Sequence, residues 1–124
     1  MPPWVDDPSI DDDTTLWRRV NQGMFHVDLE GRQSLTSFAF KSPADELSMD
    51  ISIETTAEKV LAAGLPDQKI VSIKAGLLRG LGYIIARDPE PNNSAHVLVL
   101  PTPGKTKKEK HLDRQTMAKN ATWE

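Results

Sequence analysis

Most of the chain follows a two-residue hydrophobic period. Thr15-Leu16-Trp17-Arg18-Arg19-Val20 is dense in β-forming residues and predicts a first strand. After the turn signal Asn21-Gln22-Gly23, Phe25, Val27 and Leu29 alternate with His26, Asp28 and Glu30, the pattern of a half-buried strand. Glu30-Gly31-Arg32 predicts a tight reversal into an antiparallel partner over residues 34–40. The clearest alternation comes after the Pro43 loop. Leu47, Met49, Ile51 and Ile53 share one face there, and Ser48, Asp50, Ser52 and Glu54 the other.

The period then lengthens. Thr55-Thr56-Ala57-Glu58 reads as a capping box, in which the Thr55 hydroxyl accepts from the Glu58 backbone N–H and opens a short helix through Ala63. Gly64 follows where a glycine enters the left-handed region without strain. Ile70-Val71-Ser72-Ile73, Tyr83-Ile84-Ile85-Ala86 and His96-Val97-Leu98-Val99-Leu100 predict three more strands. The glycine-punctuated stretch 75–82 reads as a turn or short helix, and residues 88–93, with two prolines and two asparagines, as a loop. Residues 105–124 predict a lysine-rich helix with Leu112, Met117 and Trp123 on a thin apolar stripe. The expected class is α+β: one domain, a mostly antiparallel or mixed sheet of about six strands, and two or three helices. Its parts are a flexible acidic arm (1–14), the domain proper (15–104) and a basic helix or tail (105–124).

A chain of 124 residues, 38% apolar and 27% charged, fits one globular domain. It has no cysteine, which excludes a disulfide framework, a thiolate metal site, an iron–sulfur cluster and a cysteine nucleophile. No apolar run approaches the ~20 residues of a membrane span, and the opening residues are acidic and proline-rich rather than signal-like. A soluble, cytoplasmic protein without a membrane partner is the expectation. The net charge of −3 disfavours nucleic acid as a partner. Acids crowd residues 1–13, with Asp6, Asp7, Asp11, Asp12 and Asp13 and no base, whereas bases outnumber acids over 105–124. Such runs are ordinarily solvated. They also allow either end to dock an oppositely charged protein, with Trp4 and Trp123 as anchors and Lys107, Lys108 and Lys110 as the basic contacts.

Candidate chemistry is sparse. His26 and Asp28 lie two apart on one strand face, and with His96 they would make a two-histidine, one-carboxylate metal set; the same spacing is the ordinary solvent face of a strand. Ser34, Thr36, Ser37, Ser42 and Ser48 lack the Gly-x-Ser-x-Gly elbow of a hydrolase nucleophile. Gly76, Gly80 and Gly82 match neither dinucleotide-binding nor P-loop spacing. His96 opens an apolar strand after a loop carrying Asp88, Asn92 and Asn93. That position suits a binding group at a strand mouth. It equally suits an imidazole that satisfies a strand-end carbonyl while Asp88 caps the turn.

Two resemblances follow. Leu16-Trp17-Arg18-Arg19-Val20, Ser37-x-x-Phe40, Leu47-Ser48-Met49 and Asp88-Pro89-Glu90-Pro91-x-x-x-Ala95-His96-Val97 together resemble an uncharacterised group of small bacterial proteins over most of residues 15–100. The resemblance implies a bacterial single-domain protein. The arginine at the end of the first strand, Arg18 or Arg19, followed by Leu35-Thr36-Ser37-Phe38, resembles the opening of the ADP-ribosyltransferase fold, including RES-type toxins. That resemblance implies NAD as cofactor, held by Arg18 or Arg19, with Ser37 supporting the nicotinamide pocket. The later strand that carries an acid in that family begins Ala95-His96-Val97 here, so His96 would replace it. The expectation is an accessory protein-binding module without a cofactor; the alternative is an NAD-binding, ADP-ribosyltransferase-like domain.

Overall fold

The computed structural model describes residues 4–124. In chain order its strands are β1 (Thr15–Val20), β2 (Phe25–Val27), β3 (Gln33–Leu35), β4 (Leu47–Ile51), β5 (Lys69–Lys74), β6 (Tyr83–Arg87), β7 (His96–Pro101) and β8 (Thr122–Trp123). Its α-helices are α1 (Ala57–Ala62), α2 (Ala75–Gly80) and α3 (Lys107–Asn120). Six strands form an antiparallel sheet in the order β6-β7-β4-β1-β5-β8, and β2 and β3 form a separate hairpin. The class is α+β, as the periodicity implies.

One face of the large sheet carries the core. Leu16 and Val20 of β1, Met49 and Ile51 of β4, Val71 and Ile73 of β5, Ile85 of β6, and Val97 and Val99 of β7 are all buried there. Leu78 of α2, Met117 of α3, and Ala39 and Phe40 of the turn Ser37–Phe40 complete the cluster. Each large apolar side chain buried this way contributes about 1.5–3 kcal/mol. The alternate positions form the second face, which is polar at its centre: Trp17 and Arg19, Ser48 and Asp50, Ser72, and His96.

Several local readings change in the tertiary structure. Residues 34–40 are not one strand: β3 ends at Leu35 and a 3-10 turn follows, because Ala39 and Phe40 are buried side by side, which a strand cannot do on one face. Ile53 does not continue the buried stripe and is 87% exposed. The Ile51 N–H bonds to the Ala95 carbonyl just before β7 begins, so β4 has no partner beyond that point. The cap of α1 is Thr56, whose hydroxyl accepts from the Lys59 N–H, rather than Thr55. The complete capping box lies at Thr106 and Glu109, opening α3. Gly64 is not left-handed. Its bare Cα instead lets a neighbour approach: a Cβ there would come within 2.7 Å of Arg19 Cδ, so that side chain would have to shift.

Both charged ends belong to the packed structure. Residues 1–3 of the acidic arm lie outside the described residues, but Ile10 is buried in the core cluster and Thr14 and Asp12 accept from the Ala75 and Gly76 N–H groups. Arg79 on α2 gathers the rest of this segment, donating to the Asp6 and Asp12 carboxylates and to the Asp7 and Ile10 carbonyls. Arg87 pairs with the Asp7 carboxylate and Lys74 donates to the Asp13 carbonyl, so three cations hold the acidic segment against the domain. The basic end forms α3 and then β8, an edge strand on β5.

Candidate functional site

The site begins with an unequal pairing. β1 pairs with β5 at six positions, yet with β4 only at Leu16–Ile51 and Trp17–Asp50. Beyond Trp17 the strands part and the Arg18 side chain bridges the gap. Its Nε donates to the Ala39 carbonyl at 2.9 Å, Nη1 to the Ser48 carbonyl at 2.9 Å and Nη2 to the Lys41 carbonyl at 3.4 Å. Burial, with the neighbouring Arg19 charge adding to it, pushes its pKa down to about 10, which still leaves it cationic at neutral pH.

At the point of parting, Trp17, Asp50 and His96 stand directly opposite one another on β1, β4 and β7. Cross-strand partners point to the same side, so indole, carboxylate and imidazole form a row across the second face. Asp50 is only 6% exposed and accepts from Asn93 Nδ2 at 2.6 Å. No cationic side chain among the described residues pairs with it. His96 is also buried; its Nδ1 lies 2.9 Å from the Asp88 carbonyl and 3.2 Å from the Asp88 carboxylate. A carbonyl oxygen only accepts, so Nδ1 carries a proton, and Nε2 faces Glu90 Oε1 at 4.0 Å.

This row floors a cleft of about 530 Å³. One wall is the hairpin tip 90–93, closed by mutual backbone hydrogen bonds between Glu90 and Asn93. The other is Arg19 with Ala63 and Gln68, near the end of α1. Arg19 Nη1 donates to the Val60 carbonyl, and its other N–H groups have no partner among the described residues. The Trp17 Nε1–H is buried without an acceptor. The cleft therefore has an acidic end at Asp50 and Glu90, a basic end at Arg19, and an aromatic floor. It can take up hydrogen-bond donors at the first and acceptors at the second.

Arg18 ties β1 to Ala39 and Ser48, and the 88–97 segment supplies Glu90 and His96 to the cleft, with Asp88 bonded to the His96 ring. Of the residues singled out as NAD contacts, Arg18, Arg19 and His96 line the cleft, but Ser37 does not. Ser37 lies in a different depression, beside Gln33, Lys119 and Trp123.

The metal set does not converge. His26 is exposed on the β2–β3 hairpin, Asp28 accepts from Glu30 and Arg32 beside it, and His96 is in the large sheet. Hydrogen bonds from Arg32 hold the Asp28 carboxyl below its ordinary range. No group of three metal-ligating side chains occurs among the described residues.

The residues assigned to a docking partner are dispersed. Lys110 pairs with Asp45 at 2.7 Å. Trp123 packs edge-on against Phe25 at 5.3 Å, with Lys69 over both rings, and so attaches the hairpin to β8. Trp4 is half-buried with its indole N–H unpartnered, and Lys107 and Lys108 are exposed at the start of α3.

Sequence reasoning assigns no role to Trp17, Asp50, Glu90 or Asn93. Asp50 reads as one more outward polar residue, although the fold buries it. The turn-forming pair Asn92-Asn93 is the one available signal, since asparagine side chains at such positions organise nearby groups.

No helix among the described residues is long and apolar enough to cross a membrane. Comparison with known proteins finds no family model, no curated protein and no solved structure that matches this chain.

Proposed function

We propose that this protein is a binding module, an accessory protein of the bacterial cytoplasm, whose recognition surface is the cleft on the second face of the sheet. One observation carries the reading: Trp17, Arg19, Asp50, Glu90 and His96, drawn from distant parts of the chain, line a single cavity of ligand size. The charged termini support it by contrast, because Asp6, Asp12, Lys105 and Lys110 are engaged in internal ion pairs. The bacterial setting rests on the resemblance described above.

A second reading, an NAD-binding domain, is favoured by the presence of Arg19 and His96 in the same cleft. Against transfer chemistry stand Arg18, whose donors are committed to three carbonyls, and Ser37, which lies elsewhere.

The test is an amide and indole NMR titration of the full chain with amino acids, nucleotides and NAD, one at a time. The expected result is a saturable response confined to Trp17, Arg19, Asp50 and His96 with at least one ligand. NAD as the responding ligand supports the second reading. A response of residues 107, 108 and 123 alone, to an acidic peptide, returns recognition to the terminus and overturns the cleft.

A further inference from the structure

We propose that the acidic end of the cleft receives a cationic nitrogen group, an ammonium or a guanidinium, bound by Asp50 and Glu90 over the Trp17 indole. This rests on the reading of the cleft as a binding site and names the chemistry of its ligand. A carboxylate removed from water requires a compensating charge or several hydrogen bonds. Asp50 is 6% exposed, has one neutral amide donor in Asn93, and has no ion-pair partner among the described residues. The chain therefore leaves its charge to be met from outside.

The surroundings favour a cation over other completions. Glu90, on the opposing hairpin tip, is a second carboxylate lining the same cavity. Trp17, the cross-strand neighbour of Asp50, presents the aromatic surface on which cations are best received. The two cations of the cavity do not occupy this end. Arg18 is held by three carbonyls, and Arg19 stands two residues along β1 from Trp17, roughly 7 Å away.

A guanidinium or ammonium can come from a free amino acid or from the side chain of a partner protein, and the chemistry at Asp50 is the same. Three probes separate the cases: L-arginine, the blocked tripeptide acetyl-Gly-Arg-Gly-amide, and the same blocked tripeptide with citrulline in place of arginine, whose side chain has nearly the same shape and which carries no cationic nitrogen. Each is titrated into the full chain while the Trp17 indole and His96 amide resonances are followed.

Arginine or the arginine tripeptide is expected to shift both resonances, with the citrulline tripeptide at least about tenfold weaker, the scale of a charge-assisted contact. Asp50→Asn and Glu90→Gln are expected to lower the affinity for the cation by about tenfold or more and to leave that for the citrulline tripeptide unchanged. Glu90 has a half-exposed side chain, so its variant tests the proposal even if Asp50→Asn fails to fold. A response to free arginine alone assigns a small molecule, and a response to the arginine tripeptide alone assigns a protein side chain.

Equal binding of the arginine and citrulline tripeptides, or cation binding that survives both substitutions, overturns the proposal and keeps the cleft as a binding site. The cationic ligand is likewise overturned if nucleotides shift Trp17 and His96 and the cations do not. Silence at Trp17 and His96 toward every ligand overturns this inference and the function proposed above together.

Discussion

The Arg18 guanidinium donates to the Ser48 carbonyl at 2.9 Å, at the place where β1 and β4 cease to pair. A side chain thus supplies the hydrogen bond that the strand ladder would otherwise make. The separation of the two strands is what gives the cleft its depth between Trp17 and the hairpin tip.

Removing that side chain should be costly. Arg18→Ala leaves the carbonyls of Ala39, Lys41 and Ser48 without their donor, and a loss of about 2–4 kcal/mol in urea denaturation is expected. Arg19→Ala, which removes one bond to the Val60 carbonyl, should cost about 1 kcal/mol. Equal stability of the two variants would contradict the bridging role of Arg18.

The acidic segment should be loosened by a single change on α2. Arg79→Lys keeps the charge but cannot reach four acceptors at once, because only the planar fork of arginine spans them. Amide exchange of residues 7–14 should quicken about tenfold or more, with the core strands little affected. Deleting residues 1–13 has a larger effect, since it also takes Ile10 out of the core and should cost about 2–5 kcal/mol.

Tyr83 gives a spectroscopic test, because it is the only tyrosine in the chain. Burial raises its hydroxyl pKa far above the ordinary value, and the negative charge of Asp113, to which it donates at 3.1 Å, raises it further. A folded pKa above the unfolded one means that stability is intact below pH 10 and is lost as pH rises beyond it. Absorbance at the tyrosinate band should therefore appear together with unfolding, not before it. Tyrosinate forming in a chain whose circular dichroism is still native would refute the burial of this hydroxyl.

On the acid side the sign reverses. The Arg87 hydrogen bond, and then its charge, holds the Glu54 carboxyl below its ordinary value of 4.5, and hydrogen bonds from Ser9 do the same for Asp7. These groups support the fold above the unfolded-state pKa, and their contribution is lost as pH falls through the lower folded values. The thermal midpoint should be level from neutrality to about pH 5 and decline below pH 4.5. In Glu54→Gln the decline should be shallower. An unchanged acid limb in that variant would show that the Arg87 pair contributes nothing to it.

Much of the fold is legible in the sequence because its signals are local. The alternation at Leu47, Met49 and Ile51 depends only on neighbours two residues apart, and β4 follows it. Periodicity fails where a distant element sets the limit. Ile53 continues the pattern, but β7 begins at His96 and leaves β4 nothing to pair with beyond Ile51. Gly64 suggests backbone freedom, whereas the structure gives it no left-handed turn and packs the Arg19 side chain into the space it leaves. His96 does stand at the mouth of its strand, and its ring bonds the Asp88 carbonyl, as one of its two readings holds.

The candidate site is harder to read because its residues are commonplace one at a time. Asp50 looks like any outward residue of a half-solvated strand, and Trp17 like any aromatic in a first strand. What the sequence by itself determined was the class of elements, their approximate order and which residues share a face of each strand. All of these follow from a period of two and from local turn and cap chemistry. The tertiary structure alone decided that Trp17, Asp50 and His96 stand in register, and that Arg18 bridges β1 and β4 where they part beside them. Periodicity fixes the face of a side chain but carries no information about which strand lies next to it. Strand order and register are set by long-range pairing, and they turned three ordinary positions into the floor of one cleft.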